Sequence, residues 1–372
     1  MKKFLLSLLL LCSLVLIAED DHECTSWMVF SDLTQDGVNI LHKNRDNKTQ
    51  NVSAVMSSPE AKRKWIGLGS PKLNAPTMGF NESGLAVAVN SGEKTAYHST
   101  NLNGKSMVII CKAILENCDT ALEAVEMLKG FIAAKDYYYY KSGSIFLFMD
   151  TQEGYICEIT AHYVAVRKYN EGYICRANIW RFPEMAQFSK SPPDGVCGNA
   201  IREYAVISSL NRALENNKKI ELKDIIDLAR NSKLYVPKKS RAAVCGQKTL
   251  SALTMVMDKE FPGTLSYGYA LIGYPRHTVC VPLSICLDKL PADMVDGSWS
   301  SNSYKRLEKQ GRFNEIPAEW IEFENASRKR FAETLFQART ILRENRRDEA
   351  IKHINQVTAE IWQDAAKFIV EK

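Results

Sequence analysis

A cysteine can act as a nucleophile without a catalytic histidine when it is the first residue of a chain, because thiol and free α-amine then sit on the same residue. The amine has an ordinary pKa of about 7.7–8.0 against about 8.5 for the thiol, so it can serve as the base near neutral pH. Cys24 in this 372-residue chain is placed for that chemistry. Ahead of it stand Met1-Lys2-Lys3, an apolar run over 4–17, Ala18 and the acidic stretch Glu19-Asp20-Asp21-His22-Glu23. A basic start, an apolar stretch of under about 15 residues and a small residue at its end describe a secretory signal. The run is also shorter than the roughly 20 residues of a spanning helix. The expectation is a signal peptide over 1–18, a short propeptide over 19–23 and a mature chain opening on Cys24, secreted or periplasmic. An uncleaved anchor is the other reading of the run, while bulky Leu11 before Cys12 argues against a lipoprotein. Without its position, Cys24 would be read as a buried structural thiol at the head of a strand.

The segments around it must deliver its partners. Residues 25–30 and 38–42 read as strands about the turn Gln35-Asp36-Gly37, a hairpin that begins at Cys24 and delivers Asn44-Arg45-Asp46. Asn81-Glu82-Ser83-Gly84 predicts a second turn, followed by the apolar run 85–89 and then Asn90-Ser91-Gly92. Helical spacing marks 107–115 and 120–129, with Asp119 or Thr120 as N-cap. Strands follow at 144–149, 155–159, 163–168 and 173–176, two helices lie between Asn199 and Asn231, and strands return at 251–257, 267–272 and 278–282. This order predicts an α+β or layered sandwich rather than repeating βαβ units. Residues 291–316 read as a polar loop. From Ala318 the chain reads as a helical hairpin bent at 344–348, its stripe Phe331, Leu335, Ala338 and Leu342 packing on the main domain or across a subunit interface of a homo-oligomer. No solenoid repeat or low-complexity linker is present.

Net charge is +5, with basic and acidic residues interleaved, so nothing argues for a nucleic-acid partner. Removing 1–23 takes away two lysines and four acids and leaves the chain mildly basic. No segment beyond the first 18 residues is apolar enough to cross a membrane. Of ten cysteines, setting aside Cys12 and Cys24 leaves eight, which an exported chain could pair in any of about 105 ways. There is no CxxC pair and no HExxH, so neither a metal nor another cofactor is implied.

Three stretches resemble the N-terminal-nucleophile (Ntn) hydrolases, in the branch that joins choloylglycine hydrolases, penicillin V acylases and the isopenicillin-N acyltransferase and carcinine hydrolase group. They are Cys24-Thr25-Ser26, His42-Lys43-Asn44-Arg45-Asp46 and the run from Gly79 to Asn90. Glu158-Ile159-Thr160, Val164 to Arg167, Arg176-Ala177-Asn178 and the segment from Leu271 to Leu283 are similar to later elements of the same branch. The resemblance covers about 24–290 and implies a four-layer αββα sandwich, with 291–372 as a helical C-terminal extension. It implies Cys24 as nucleophile, its amine as base, and Asp46 as the carboxylate that orients the amine. It further implies Asn90 and Asn178 as side-chain oxyanion donors and Arg241 as a fixed positive charge near the sulfur. Outside the resemblance, Asp46 would be a turn aspartate, the asparagines turn or strand-end residues, and Arg241 a surface arginine. One departure stands out. The bile-salt branch has an arginine before its Asn-x-Asp, and here that residue is Lys43, which keeps the charge without the planar fork.

The function implied is an exported amidohydrolase that cleaves a linear amide of a small acyl-amide substrate through a Cys24 thioester. An acyltransferase with the same intermediate, and a non-catalytic binding protein on the same scaffold, are the alternatives. His277 could serve a Cys–His pair, but no papain-like signature surrounds any cysteine. The aromatic run Tyr137 to Tyr140 could line an acyl pocket, or be a half-buried strand or loop. Four Asn-x-Ser/Thr sequons, beginning at Asn47, Asn51, Asn81 and Asn325, carry weight only in a glycosylating host.

Overall fold

A computed structural model describes residues 24–47, 52–94, 103–138, 142–189, 198–233, 242–311 and 315–369. The signal and propeptide, Arg241, Tyr139 and Tyr140, and Cys12 and Cys197 lie outside the described residues.

The chain opens with β1 (Thr25–Val29) and β2 (Asn39–Asp46). They form the expected hairpin, antiparallel with Thr25 opposite Asn44 and Val29 opposite Ile40. The turn between them uses Gly37 at a φ of 64°, in the left-handed region that suits glycine. The pairing brings the end of β2 back beside Cys24. Four further strands, β3 (Ser53–Met56), β4 (Trp65–Ser70), β5 (Ala75–Asn81) and β6 (Ala86–Lys94), precede helices α1 (Met107–Asn117) and α2 (Ala121–Ala133). The Thr120 hydroxyl accepts from the Glu123 amide and so caps α2, as the sequence predicts. Strands β7 (Ser142–Met149), β8 (Gly154–Ile159), β9 (Val164–Tyr169) and β10 (Tyr173–Arg176) follow. Then come α3 (Gly198–Asn217), α4 (Leu222–Ala229), β11 (Thr249–Met257), β12 (Tyr267–Ile272) and β13 (Val281–Ser284). Helices α5 (Ser298–Gln310), α6 (Ala318–Arg343) and α7 (Arg347–Ile369) complete the chain.

The strands make two antiparallel sheets, one in the order β10-β1-β2-β11-β12-β13 and one in the order β3-β4-β5-β6-β7-β8-β9. Period-two alternation assigns their faces. Met28, Leu41, Ala86, Ala88, Ile145, Leu147, Leu253 and Met255 meet between the sheets. Val87, Val89, Phe146 and Phe148 turn outward under α1 and α2. Trp27, Val29 and Ile40 turn outward under α3 and α4, and Tyr269 and Leu271 under α6 and α7. Helices, sheet, sheet, helices is the four-layer sandwich the resemblance implies. Because both faces of the central strands are covered, those strands read in the sequence as apolar runs without alternation.

Two details differ from the sequence reading. Residues 291–316 contain a helix, α5, whose Trp299 and Tyr304 enter the inter-sheet core while its other positions are mostly polar. That sparse stripe is why the stretch reads as a loop. β6 also runs on through Asn90 to Lys94, carrying Asn90 inside the sheet. The eight described cysteines are all free and buried, so none is paired with another.

The helical hairpin packs on the main domain, sharing its core through Phe331, Ala338, Ile354 and Ile361. It is also pinned electrostatically. Arg230, following α4, donates to both carboxylate oxygens of Glu324 on α6 (2.8 and 2.6 Å) and to the carbonyls of Pro275 and Thr278. Both side chains of this pair are almost fully buried. Removing one partner of a buried pair strands the other's charge at a cost of about 3–5 kcal/mol, whereas an apolar replacement of both costs far less. Glu324→Leu should therefore lower the urea unfolding free energy by about that amount, and the double variant Arg230→Met/Glu324→Leu should recover most of the loss.

Candidate active site

Cys24 immediately precedes β1, and its thiol lies 3.8 Å from the Asp46 main-chain carbonyl at the end of β2. Lys43, two residues beyond Leu41 on β2, shares that residue's face and points between the sheets. Its Nζ donates to Asn90 Oδ1 (2.7 Å) on β6 of the opposite sheet and lies within electrostatic reach of the Cys24 sulfur. Ser26 Oγ donates to the same Asn90 oxygen at 2.8 Å. Arg45, the next residue on that face of β2, brings a second cation within electrostatic reach of Cys24.

The Asn90 amide donates to the carbonyls of Arg176 (3.0 Å) and Ala177 (3.2 Å). A lysine and a hydroxyl on one side and two carbonyls on the other fix which end of the amide is oxygen. Both of its N–H hydrogens are thereby engaged by main chain.

Asn178 follows two residues after β10, in a segment stabilised by three buried ionic side chains. Arg202 on α3 donates to Asn178 Oδ1 (3.1 Å) and to Thr25 Oγ1 (3.0 Å), tying the segment to the residue next to Cys24. Asn178 Nδ2 donates to the Ser91 carbonyl at 2.6 Å, which leaves its second hydrogen for another acceptor. Glu203 accepts from the Ala177 amide and Glu158 accepts from the amides of Arg181 and Phe182. Burial pushes the Glu158 carboxyl up, and the Arg176 charge with those two amides pulls it back. Trp180 closes over Gly92 and Gly143, where a Cβ on either would press into the indole.

Of the residues singled out in the sequence, Cys24, Asp46, Asn90 and Asn178 thus lie on elements joined by this network, and Arg241 is outside the described residues. The Asp46 side chain is buried, and its charge acts on Lys43, Cys245 and Tyr304. Lys43, Arg202 and Glu203 were not assigned site roles from sequence. Lys43 was visible as a lysine where the bile-salt branch has arginine; Arg202 and Glu203 are ordinary charges on a helix in the sequence. Tyr137 packs on the α1 and α2 side and bonds Ser144 (2.7 Å), outside the inter-sheet core. His277 stacks on Tyr274. A cavity of about 460 Å³ lined in part by Leu290, Trp299 and Trp362 includes none of the site residues. Among the described residues no cluster of three or more His, Cys, Asp or Glu is placed to hold a metal, and no helix is long and apolar enough to cross a membrane.

An αββα sandwich whose first strand opens at a cysteine has the architecture of an Ntn hydrolase. The chain belongs to the acyl-coenzyme A:6-aminopenicillanic acid acyl-transferase family, whose model matches residues 33–241. That span includes Asp46, Asn90, Asn178 and Arg241 but begins after Cys24. No curated protein matches the chain. Among solved structures it is similar to an N-acylethanolamine-hydrolyzing acid amidase ortholog from Caenorhabditis elegans, at 16% identity over 64% of this chain and 93% of that one, with a TM-score of 0.44. A variant of conjugated bile acid hydrolase from Clostridium perfringens matches at 15% identity over 70% and 92%, with a TM-score of 0.46. Penicillin V acylase from Agrobacterium tumefaciens matches at 14% over 71% and 87%, with a TM-score of 0.43.

His42, beside Lys43, is structural. It stacks on Trp27, and its ring nitrogens meet Thr254 Oγ1 (2.7 Å) and Asn44 Oδ1 (2.9 Å). Burial drives its pKa from 6.5 to about 3, so the imidazole is neutral in the fold. Unfolded chains take up a proton at His42 below about pH 6.5 that the folded chain refuses until about pH 3. Its contribution to stability is complete above the unfolded value and is lost as pH falls through that window. His277, lowered to about 4 by burial, adds a slope of the same sign. Urea titrations between pH 7 and 5 should show falling stability, and His42→Asn should flatten the slope while lowering stability throughout.

Proposed function

We propose that the chain is an exported amidohydrolase that cleaves the linear amide of a small acyl-amide substrate, with Cys24 as nucleophile once residues 1–23 are removed. The observation that carries this reading is the convergence on Cys24 of Lys43, Arg45 and the Asp46 carbonyl at the head of the first strand. In this reading the thiol attacks the amide carbonyl carbon and the oxyanion is stabilised by the remaining Asn178 N–H. The leaving nitrogen takes a proton, an acyl-thioester forms, and water releases the acid. Asp46 orients the freed α-amine. Because both hydrogens of the Asn90 amide are engaged, its side chain contributes by positioning Lys43 and Ser26 rather than by donating to the oxyanion. Arg241 is retained as a proposed positive charge near the sulfur. Export is supported by the pattern of residues 1–18.

The family match favours one second reading, transfer of the acyl group to an amine acceptor in place of water. Both start from the same thioester, and release of acid without added acceptor separates them.

Intact-mass and N-terminal analysis of the mature protein should find a chain beginning at Cys24. With octanoyl and phenylacetyl 4-nitroanilides as probes, Cys24→Ala should abolish nitroaniline release and Asp46→Asn should lower it by about 10²–10⁴-fold. A mature chain that starts upstream of Cys24 and still turns over would sink the reading of Cys24 as an N-terminal nucleophile.

A further inference from the structure

Lys43 is the one lysine among the described residues with no solvent exposure. Its Nζ donates to Asn90 Oδ1, the Cys24 sulfur lies within its electrostatic reach, and no carboxylate lies at ion-pair distance from it among the described residues. The other charges acting on it are Arg45, which opposes its positive charge, and Asp46, which favours it; His42 and Cys111 feel its charge in turn. β6 offers it only the Asn90 amide, and its partner across β11 is the apolar Leu253. An ammonium so enclosed costs several kcal/mol unless a counter-charge is adjacent. The one group in contact that can supply a full negative charge is the Cys24 sulfur. The pair has two arrangements of equal total charge, thiol with neutral amine and thiolate with ammonium, which differ by one proton moved between Sγ and Nζ. Asn90 Oδ1 can accept from either form of the lysine, so it holds Nζ in place through the exchange.

We propose that Lys43 carries the Cys24 proton, accepting it from Sγ as the sulfur–carbon bond forms and delivering it to the leaving nitrogen as the carbon–nitrogen bond breaks. This rests on the reading of Cys24 as nucleophile. In the first step the thiol proton passes to Nζ, the sulfur pair bonds the carbonyl carbon and the carbonyl π pair moves to oxygen. In the second the pair returns, the amine departs with the proton from Nζ, and Lys43 is left neutral. In deacylation Lys43 takes a proton from the attacking water and returns it to the departing sulfur, which regenerates the starting pair. An arginine at this position could stabilise a thiolate but could not pass on its proton, since guanidinium stays charged. Lysine in place of the bile-salt branch's arginine therefore changes the chemistry available. Burial lowers the Lys43 pKa and the adjacent Cys24 pulls it back, in keeping with a lysine that can exchange its proton.

The test compares a leaving group that needs a proton with one that does not. For the wild type, Lys43→Arg and Cys24→Ala, the first acylation turnover is measured with octanoyl and phenylacetyl 4-nitroanilides and with the 4-nitrophenyl esters of the same acids. Lys43→Arg should lose more than about 100-fold on the anilides and less than about 10-fold on the esters, because nitrophenolate leaves unprotonated. Equal losses on both, as misplacement of the sulfur would give, overturn the proposal, and so does anilide turnover within about threefold of wild type. Cys24→Ala should lose both activities; if it keeps them, the nucleophile reading itself falls. A readout independent of substrate is alkylation of Cys24 by iodoacetamide, followed by peptide mass between pH 5 and 10. Lys43→Met should slow it more than about 10-fold at pH 7, and an unchanged rate and pH profile also overturns the proposal.

Discussion

The space between the two sheets is apolar along most of its length, and a polar group placed there must find its partners there. Asn90 is the residue on which this requirement falls most heavily. Its oxygen accepts from Lys43 and Ser26 of the facing sheet, and its nitrogen donates to the carbonyls of Arg176 and Ala177. All four valences are filled in this register of β6 against β1 and β2. Slipping a strand by one residue would turn Asn90 toward the α1 layer and bring a valine into its place. The position of Cys24, one residue before β1, is thus determined by a contact made from the other sheet.

The same amide links the strand that follows Cys24 to the segment bearing Asn178. Its two acceptors lie at the end of β10 and just beyond, where the main chain turns away from its neighbour β1. Such a turn frees backbone amides, and here Glu158 and Glu203 take three of them. Carboxylates suit this task because each oxygen can accept more than once, and the flanking arginines Arg176 and Arg181 neutralise them. Arg202 reaches both Asn178 and Thr25, so it couples the geometry of the two segments directly. Rigidity of this kind is what an oxyanion donor requires, since its value lies in not having to reorganise.

Much of the layer order could be read from the chain because strand and helix signals were strong where local chemistry dominates. Gly37 and Gly84 sit at positive φ at the two predicted turns, and the stripe of Phe331, Ala338 and Leu342 lies in the interface it implied. What was missed depends on partners far away in sequence. α5 carries too few apolar residues to announce itself, because Ser300 and Ser303 are buried close against Gly273. Arg202 and Glu203 look like any charged pair on a helix until the 177–182 segment is placed over them. Lys43 could be seen as a departure from a pattern, but its burial follows from the opposing sheet. The commitment of the Asn90 amide could not be foreseen, since its acceptors come from residues 86 and 87 positions further along the chain.

The eight described cysteines show why burial alone does not make a nucleophile. Desolvation pushes Cys118 to about 11, Cys245 and Cys280 to about 12, and Cys111 and Cys157 higher still, so these thiols stay protonated and inert. Cys245 is the informative comparison, because it shares a neighbour with Cys24. For Cys245 the Asp46 carboxylate adds to the cost of ionisation. At Cys24 the residue contributes its main-chain carbonyl, while two cations from the same strand, Lys43 and Arg45, face the sulfur. Two buried thiols near one aspartate therefore meet different charges, Asp46 ahead of Arg276 and Arg230 at Cys245, and Lys43 with Arg45 at Cys24. That difference comes from the alternation of β2, which sends residues 43 and 45 to one face of the strand and residue 46 to the other. The charges that face each thiol are thus set by strand register before they are set by any single side chain.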